Sequence, residues 1–203
     1  MTRSAAVPPA SAGYDRIADR FDAERGPKRW EWPFFETLAE ELGAGARILD
    51  CGCGSGHLGI ARLIEAGHAV SGLDGSAAML SLFRKRYPDV PVVLADMRSF
   101  DPASAQDAVI AWDSLFHLSQ PDQAAMIERF GRWLAPGGRL LFTSGPDDGS
   151  VTGEMFGVAF SYSSFDEAGY RDHLAQAGFV SIQSQFDEPK GAVHKVWTAR
   201  KGR

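Results

Sequence analysis

The sequence predicts an α/β fold: a doubly wound, mostly parallel seven-stranded sheet with helices on both faces, an antiparallel last strand, and two helices ahead of the first strand. Three observations predict it. Between residues 47 and 143, short apolar runs alternate with helical segments, as a parallel sheet covered on both faces requires. A glycine-rich turn containing Gly52, Gly54 and Gly56 follows the first run directly. After residue 143 the alternation ends in one helix and two strand-like runs, 179–186 and 193–199, whose connection carries Pro189 and Gly191 and reads as a hairpin loop.

Taken in order, residues 1–12 are rich in Ala, Ser and Pro without periodicity and are expected to be disordered. The rest, 13–203, has no internal linker and reads as one domain. Tyr14, Ile17, Ala18 and Phe21 fall on one helical face. Phe34, Phe35, Leu38 and Leu42 do so again before Gly43 and Gly45 stop the second helix. Strands at 47–50, 68–73 and 92–95 then alternate with helices over 56–66 and 76–86. A strand at 108–112, a helix over 121–134 and a strand at 139–143 complete the parallel part. A loop rich in Gly, Ser and Asp leads from Ser144 to the run at 161–164, and a helix at 165–177 ends at Gly178.

Composition narrows the function. The net charge of -5 gives no sequence-wide attraction for a phosphate backbone, so no nucleic-acid partner is expected. No stretch approaches the roughly 20 apolar residues of a membrane span. The N-terminus lacks the apolar core of a secretory signal, so no membrane partner and a cytoplasmic address are expected. Cys51 and Cys53, one residue apart, read as reduced packing residues rather than a strained disulfide or half of a zinc site, and no metal is expected.

The chemistry lies along one edge of the sheet. In an open α/β sheet the ligand sits at the carboxyl ends of the strands, and the first strand-to-helix turn is there. Glycines in that turn let a ligand lie against the backbone. Asp50 ends the first strand, Asp74 ends the second and Asp96 follows the third. A ligand with an amino group, a ribose diol and an adenine amino group would use all three carboxylates as acceptors. S-adenosylmethionine has these groups, and its sulfonium cation suits acidic surroundings. The turn also fits a dinucleotide pattern, with Gly54, Gly56 and Gly59 spaced G-x-G-x-x-G and Asp74 downstream. Against that alternative, the pattern begins several residues beyond the strand end, and Asp96 has no role in it.

The segments ILDCGCGSG, GLDGSAAML, LADM and WLAPGGRLLFT resemble the class I, Rossmann-like, S-adenosylmethionine-dependent methyltransferase family of the small-molecule type, over nearly the whole chain from Tyr14 onward. The resemblance implies that the turn from Asp50 through Gly52, Cys53 and Gly54 to Gly56 cradles the methionine part and that Asp74 takes the ribose hydroxyls. It further implies that Asp96 and Met97 hold the adenine, with Met79 closing that pocket from below. This chain has Gly75 where the family usually carries an apolar residue. The two N-terminal helices, over 13–43, have no place in the sheet, and the resemblance implies that such a segment covers the cofactor. Tyr14 and Phe21 lie on a face apart from the charged residues, as a lid with one buried side requires, and Arg25 or Arg29 has the charge to reach the cofactor carboxylate, while an ordinary amphipathic helix packed on the sheet fits each equally well.

Methyl transfer is an in-line displacement from sulfur, so alignment and exclusion of water matter most and a base is optional. The segment after the fourth strand should face the methyl group. There Trp112 and Asp113 flank the cofactor, and Asp113 and His117, four apart, would share one face of a helical turn. His117 has the reference pKa of a base near neutrality, though in the small-molecule methyltransferases that this segment resembles a histidine at this place often only packs or orients the loop. Trp30, Glu31 and Trp32, together with Glu154, Met155, Phe156 and Phe160, either line an acceptor pocket or seal an extra layer of core or an oligomer interface; a histidine placed like His194, near the start of the last strand, more often stays out of such a site than reaches it, and His173 reads as a surface or packing residue. The expected activity is methyl transfer from S-adenosylmethionine to the O or N of a small molecule, leaving S-adenosylhomocysteine. An inert cofactor-binding module and a protein or RNA methyltransferase stand as alternatives.

Overall fold

Alternating apolar residues on each strand demand cover on both sides of the sheet, and the chain supplies it in sequence order. The computed structural model describes residues 9–25, 31–56, 59–187 and 194–203. The elements are α1 (Ala10–Arg25), α2 (Trp32–Glu41), β1 (Arg47–Cys51), α3 (Ile60–Glu65), β2 (Ala69–Asp74), α4 (Ala77–Arg86), β3 (Val92–Leu94) and β4 (Gln106–Ala111). They continue with α5 (Gln120–Trp133), β5 (Leu134–Ser144), β6 (Gly149–Met155), β7 (Val158–Ser164), α6 (Glu167–Gln176), β8 (Phe179–Phe186) and β9 (Lys195–Lys201). Among the described residues, seven strands form one sheet in the order β3-β2-β1-β4-β5-β9-β8. β1 pairs in parallel with β2 and β4, β4 with β5, and β9 runs antiparallel between β5 and β8. The order reverses between β1 and β4, which puts the glycine turn after β1 at the switch point.

Side chains from successive strand residues go to opposite faces. Ile48, Ala108, Ile110 and Leu141 pack with Phe35, Leu38, Ile60, Leu63, Leu80 and Phe83 of α2, α3 and α4. Leu49, Val109, Ala111, Leu140 and Phe142 pack with Met126, Ile127, Phe130, Tyr170 and Leu174 of α5 and α6. The helix starts follow from local chemistry. Ser76, Ser119 and Asp166 are N-caps whose side chains accept the backbone N–H groups of Met79, Asp122 and Gly169.

Three expectations from the sequence change. Ala10, Ser11 and Ala12, expected in the disordered tail, form the first turn of α1; residues 1–8 lie outside the described residues. α2 does have a sheet role, because Phe35 and Leu38, three apart, are buried on it, so only α1 remains available as a lid. The expected loop from Ser144 to Ser161 is instead mostly the antiparallel hairpin β6–β7. Its Val158 and Phe160 are buried with Ile17 of α1 in a third apolar cluster, with Tyr14 and Phe21 packed against it. Positive φ at Phe156 and Gly157 makes the two-residue turn that the hairpin needs. The hairpin loop expected over 187–192 falls mostly outside the described residues.

One buried amide ties the hairpin to the helices behind the sheet. Gln123 has no exposed surface. Its Nε2 donates to the Leu118 and Ser163 carbonyls at 2.9 and 2.7 Å, and its Oε1 accepts the Tyr170 hydroxyl at 2.5 Å. Gln123→Leu leaves the buried Ser163 carbonyl without its donor and removes the bonds to Leu118 and Tyr170, so it is expected to lower the free energy of urea unfolding by about 2–4 kcal/mol, and Tyr170→Phe by roughly 1 kcal/mol.

Candidate functional site

The turn after β1 is built by backbone geometry. Gly52, Gly54 and Gly56 all have positive φ (82, 53 and 77°), a conformation closed to most side chains. The Gly52 and Cys53 N–H groups donate to the Leu73 carbonyl, and the Gly54 N–H donates to Asp74 Oδ2 at 2.8 Å. The other Asp74 oxygen, Oδ1, accepts the Ser76 N–H, also at 2.8 Å. One carboxylate thus clips the turn after β1 to the turn after β2. Burial raises the Asp74 pKa, while these two N–H groups and that of Gly75 oppose the rise.

Beside this clip lies a cavity of about 680 Å³. Gly52, Cys53, Gly54, Asp74, Gly75, Met79, Asp96, Met97, Trp112, Asp113 and His117 line it, as do Tyr14 and Arg25 from α1. Two sequence candidates do not. Asp50 lies beneath the turn, 1% exposed, because it points to the α2–α4 side of β1. Gly56 packs on Phe83 and Tyr87, where a Cβ would come within about 3 Å of both rings. Sequence reasoning passed over Ser11, Ser114 and Ser161, which also line the cavity. A serine carries little signal in sequence, although Ser114 can be found from the fold, since its hydroxyl donates to the Cys51 carbonyl at 2.7 Å and fills the space that a side chain at Gly52 would need.

The site's charges are arranged in pairs. Asp96 is held by Arg98, whose hydrogen bonds lower its pKa, and Arg98 also reaches Asp122 at 3.1 Å. Arg25 donates to Asp113 at 2.6 Å and to the buried Glu31 at 3.5 Å. Asp113 itself has a φ of 48°, held by the bond from its N–H to Thr143 Oγ1 at 2.7 Å. Non-glycine residues are uncommon there and such strain gathers at functional sites. Arg29 and Trp30 lie outside the described residues.

The pairing of Asp113 with His117 on one helical face is corrected. After the left-handed Asp113, residues Leu115–His117 form only a 3-10 turn, and no hydrogen bond between the two side chains is seen among the described residues. His117 instead has two other partners. Its Nδ1 meets the Ser161 carbonyl at 3.2 Å and its Nε2 meets the Tyr14 hydroxyl at 3.0 Å. A carbonyl only accepts, so Nδ1 carries the proton and Nε2 receives the tyrosine O–H. Burial holds the His117 pKa below its usual value, opposed by Ser161 and Asp113, and raises that of Tyr14. His194 stacks on Phe116 at 5.2 Å, with Nδ1 3.3 Å from Asp187 and 3.9 Å from Asp113. His173 packs on Phe165, Trp32 on the Arg62 guanidinium and Phe156 on that of Arg20; Phe160 is core rather than pocket lining.

Cys51 and Cys53 are free and buried, and burial pushes both thiols well above their usual pKa. They remain protonated and unreactive. Among the described residues no helix is long and apolar enough to cross a membrane, and no three His, Cys, Asp or Glu side chains gather as a metal site.

The chain is similar to known proteins. Residues 48–138 match the methyltransferase domain family. The chain is 32% identical over 180 residues to trans-aconitate 2-methyltransferase of Acidovorax ebreus (strain TPSY), covering 84% of this chain and 64% of that one. It is 42% identical over 112 residues to the enzyme of the same name from Methylobacterium nodulans, covering 53% of this chain and 42% of that one. The chain therefore spans less than two thirds of the length of these curated relatives. Among solved structures, 1,6-didemethyltoxoflavin-N1-methyltransferase of Burkholderia thailandensis, with bound 1,6-didemethyltoxoflavin and S-adenosylhomocysteine, superposes with a TM-score of 0.73 at 23% identity, covering 100% of this chain and 94% of that one. At that identity the likeness is one of fold.

Asp50 Oδ1 has no hydrogen-bond partner among the described residues, and burial, with Asp74 beside it, pushes the carboxyl up to about 7. An unfolded chain releases this proton near the ordinary value of 3.8, so between about pH 4 and pH 7 the folded state binds the extra proton. Stability from this group is complete below the lower value and is lost as pH rises through the upper one. Asp50→Asn, which cannot ionise, should gain on the wild type by roughly 2 kcal/mol between pH 5 and pH 8 in urea unfolding. Parallel pH profiles for the two proteins would contradict this.

Proposed function

The chain belongs to the class I, Rossmann-like, S-adenosylmethionine-dependent methyltransferase family, and from that premise we propose that it binds S-adenosylmethionine and transfers the methyl group to a nitrogen or oxygen of a small molecule. The observation that carries the reading is the glycine turn. Its backbone lines the 680 Å³ cavity at the switch point of the sheet, with the Asp74 carboxylate directly beside it. That volume suits a cofactor together with a small acceptor, and a cradle with no side chain at Gly52 or Gly54 suits a ligand lying on the backbone.

Bound S-adenosylmethionine would supply an electrophilic methyl carbon on sulfur. The chain's own residues do the rest. The Asp74 oxygens accept the N–H groups of Gly54 and Ser76, with Gly75 also close, and their remaining lone-pair capacity is what would take a ribose hydroxyl. Asp96 and Met97 border the adenine end and Met79 its floor, while the Gly52–Gly54 backbone and Arg25 border the methionine end. α1 and the β6–β7 hairpin exclude water, which favours an in-line displacement.

A proton leaving the acceptor meets Tyr14 before His117, because the Tyr14 hydroxyl occupies the Nε2 lone pair. His117 therefore acts through Tyr14: the phenol takes the acceptor's proton as its own passes to Nε2, and Asp113 nearby favours the imidazolium so formed. Every arginine that lines the cavity among the described residues is paired with carboxylates, which favours a neutral or amine acceptor over the carboxylic acid in the relatives' names.

The decisive experiment is release of S-adenosylhomocysteine with amines, phenols and carboxylic acids, trans-aconitate included. Turnover with one of them is expected. Cofactor binding with no turnover across such a panel and a metabolite extract would favour an inert binding module. By calorimetry, Asp74→Ala should weaken S-adenosylhomocysteine binding tenfold or more, and unchanged affinity would remove the ribose assignment. Tyr14→Phe and His117→Ala should each lower kcat about 100-fold, and the double variant little further, if the two form one relay. Additive losses would separate them.

A further inference from the structure

Helix α1 lies along α4 and meets that helix and the turn just before it at three places on one face. Near its start, Ser11 sits against Gly75, where a Cβ on residue 75 would lie 2.9 Å from Ser11 Cβ and 3.4 Å from its Oγ. One turn later, Asp15 Oδ1 accepts the Ser76 hydroxyl at 2.6 Å and the Ala78 N–H at 3.1 Å, capping α4 from outside. Two turns beyond that, Asp22 pairs with Arg86 at 3.0 Å. Asp15 holds the first turn of α1 in place, and the missing side chain at Gly75 makes the room.

Ser11 and Gly75 both line the cavity, directly beside Asp74. The geometry points to Ser11 as a binding residue of the adenosine pocket, supplied by α1 to the place a side chain at Gly75 would occupy. The pocket is then complete only with α1 docked on α4. This inference rests on the methyltransferase reading and deepens it. The wall beside the ribose comes from the N-terminal helix rather than from the β2–α4 turn, and Ser11 Oγ brings a donor and an acceptor to the ribose edge. Cofactor affinity and α1 docking are then coupled, each strengthening the other by the same factor.

A double-mutant cycle on the full chain tests this, with S-adenosylhomocysteine as the probe. Gly75→Ala should weaken calorimetric binding about tenfold and speed trypsin cleavage at Arg16 and Arg20 of α1, because the new Cβ displaces Ser11. In a Ser11→Gly background, which removes the obstructing atoms, the same substitution should cost less than threefold. Asp15→Ala should also weaken binding and speed cleavage, and added ligand should slow cleavage of the wild type. The inference is overturned if Gly75→Ala binds as the wild type does, or if it loses equally in both backgrounds. It is also overturned if ligand leaves the cleavage rate unchanged. A wild type that does not bind S-adenosylhomocysteine would overturn the methyltransferase reading itself, and this inference with it; binding by the wild type with no coupling overturns this inference alone.

Discussion

The structure depends on one carboxylate. Asp74 accepts an N–H from Gly54 on one oxygen and from Ser76 on the other, so two separate strand-to-helix turns share a single anchor. The turn after β1 has left-handed glycines, and its Gly54 has no atom beyond its chain neighbours within 4 Å of where a side chain would begin. Without an acceptor at this point, the Gly54 N–H would lie at the cavity wall unpaired, since the Leu73 carbonyl serves only Gly52 and Cys53. The cost is carried by burial: Asp74 sits in a half-dry place where desolvation and the nearby Asp15 raise its pKa, and Asp74 in turn helps Asp50 beneath it to keep its proton. A site so poised favours a cationic ligand that also brings hydroxyl donors.

Around that anchor, polar side chains in and beside the cavity pair with one another across long sequence distances. Arg25 meets Asp113, Tyr14 meets His117, and Asp15 meets Ser76. Each pair joins α1 to the body of the fold, and two of them join it to the segment after β4. α1 is therefore more than an apolar cover. It brings a cation to Asp113 and a hydroxyl to His117, and the strained Asp113 is held at the meeting point by Thr143. The hairpin β6–β7 completes the arrangement from the far side by giving Ser161 O to His117 and Phe160 to the underside of α1.

Some individual residues show where sequence reading works and where it stops. Asp74 and the glycines were legible because a strand end followed by small residues has few physical alternatives. Asp50 was legible as a strand-end acid but not as a buried one, since strand alternation decides its side and the face it meets is known only once α2 has been seen on the sheet. The loop read between Ser144 and Ser161 is a hairpin because Phe160 and Val158 find Ile17, a partner about 140 residues away that gives those residues a buried face. Asp113 and His117 failed as a pair because one residue in a left-handed conformation breaks the helical spacing on which that pairing rested.

By itself, then, the sequence determined the alternation of strands and helices through β5, the glycine turn, and the acids at the strand ends, because these follow from backbone preferences and short-range periodicity. Tertiary structure alone decided that Tyr14 caps His117, that Arg25 neutralises Asp113, and that Ser11 fills the space at Gly75. The physical reason is the same in each case. A polar side chain takes whichever complementary group the fold brings within about 3 Å, and nothing local in the chain encodes that choice.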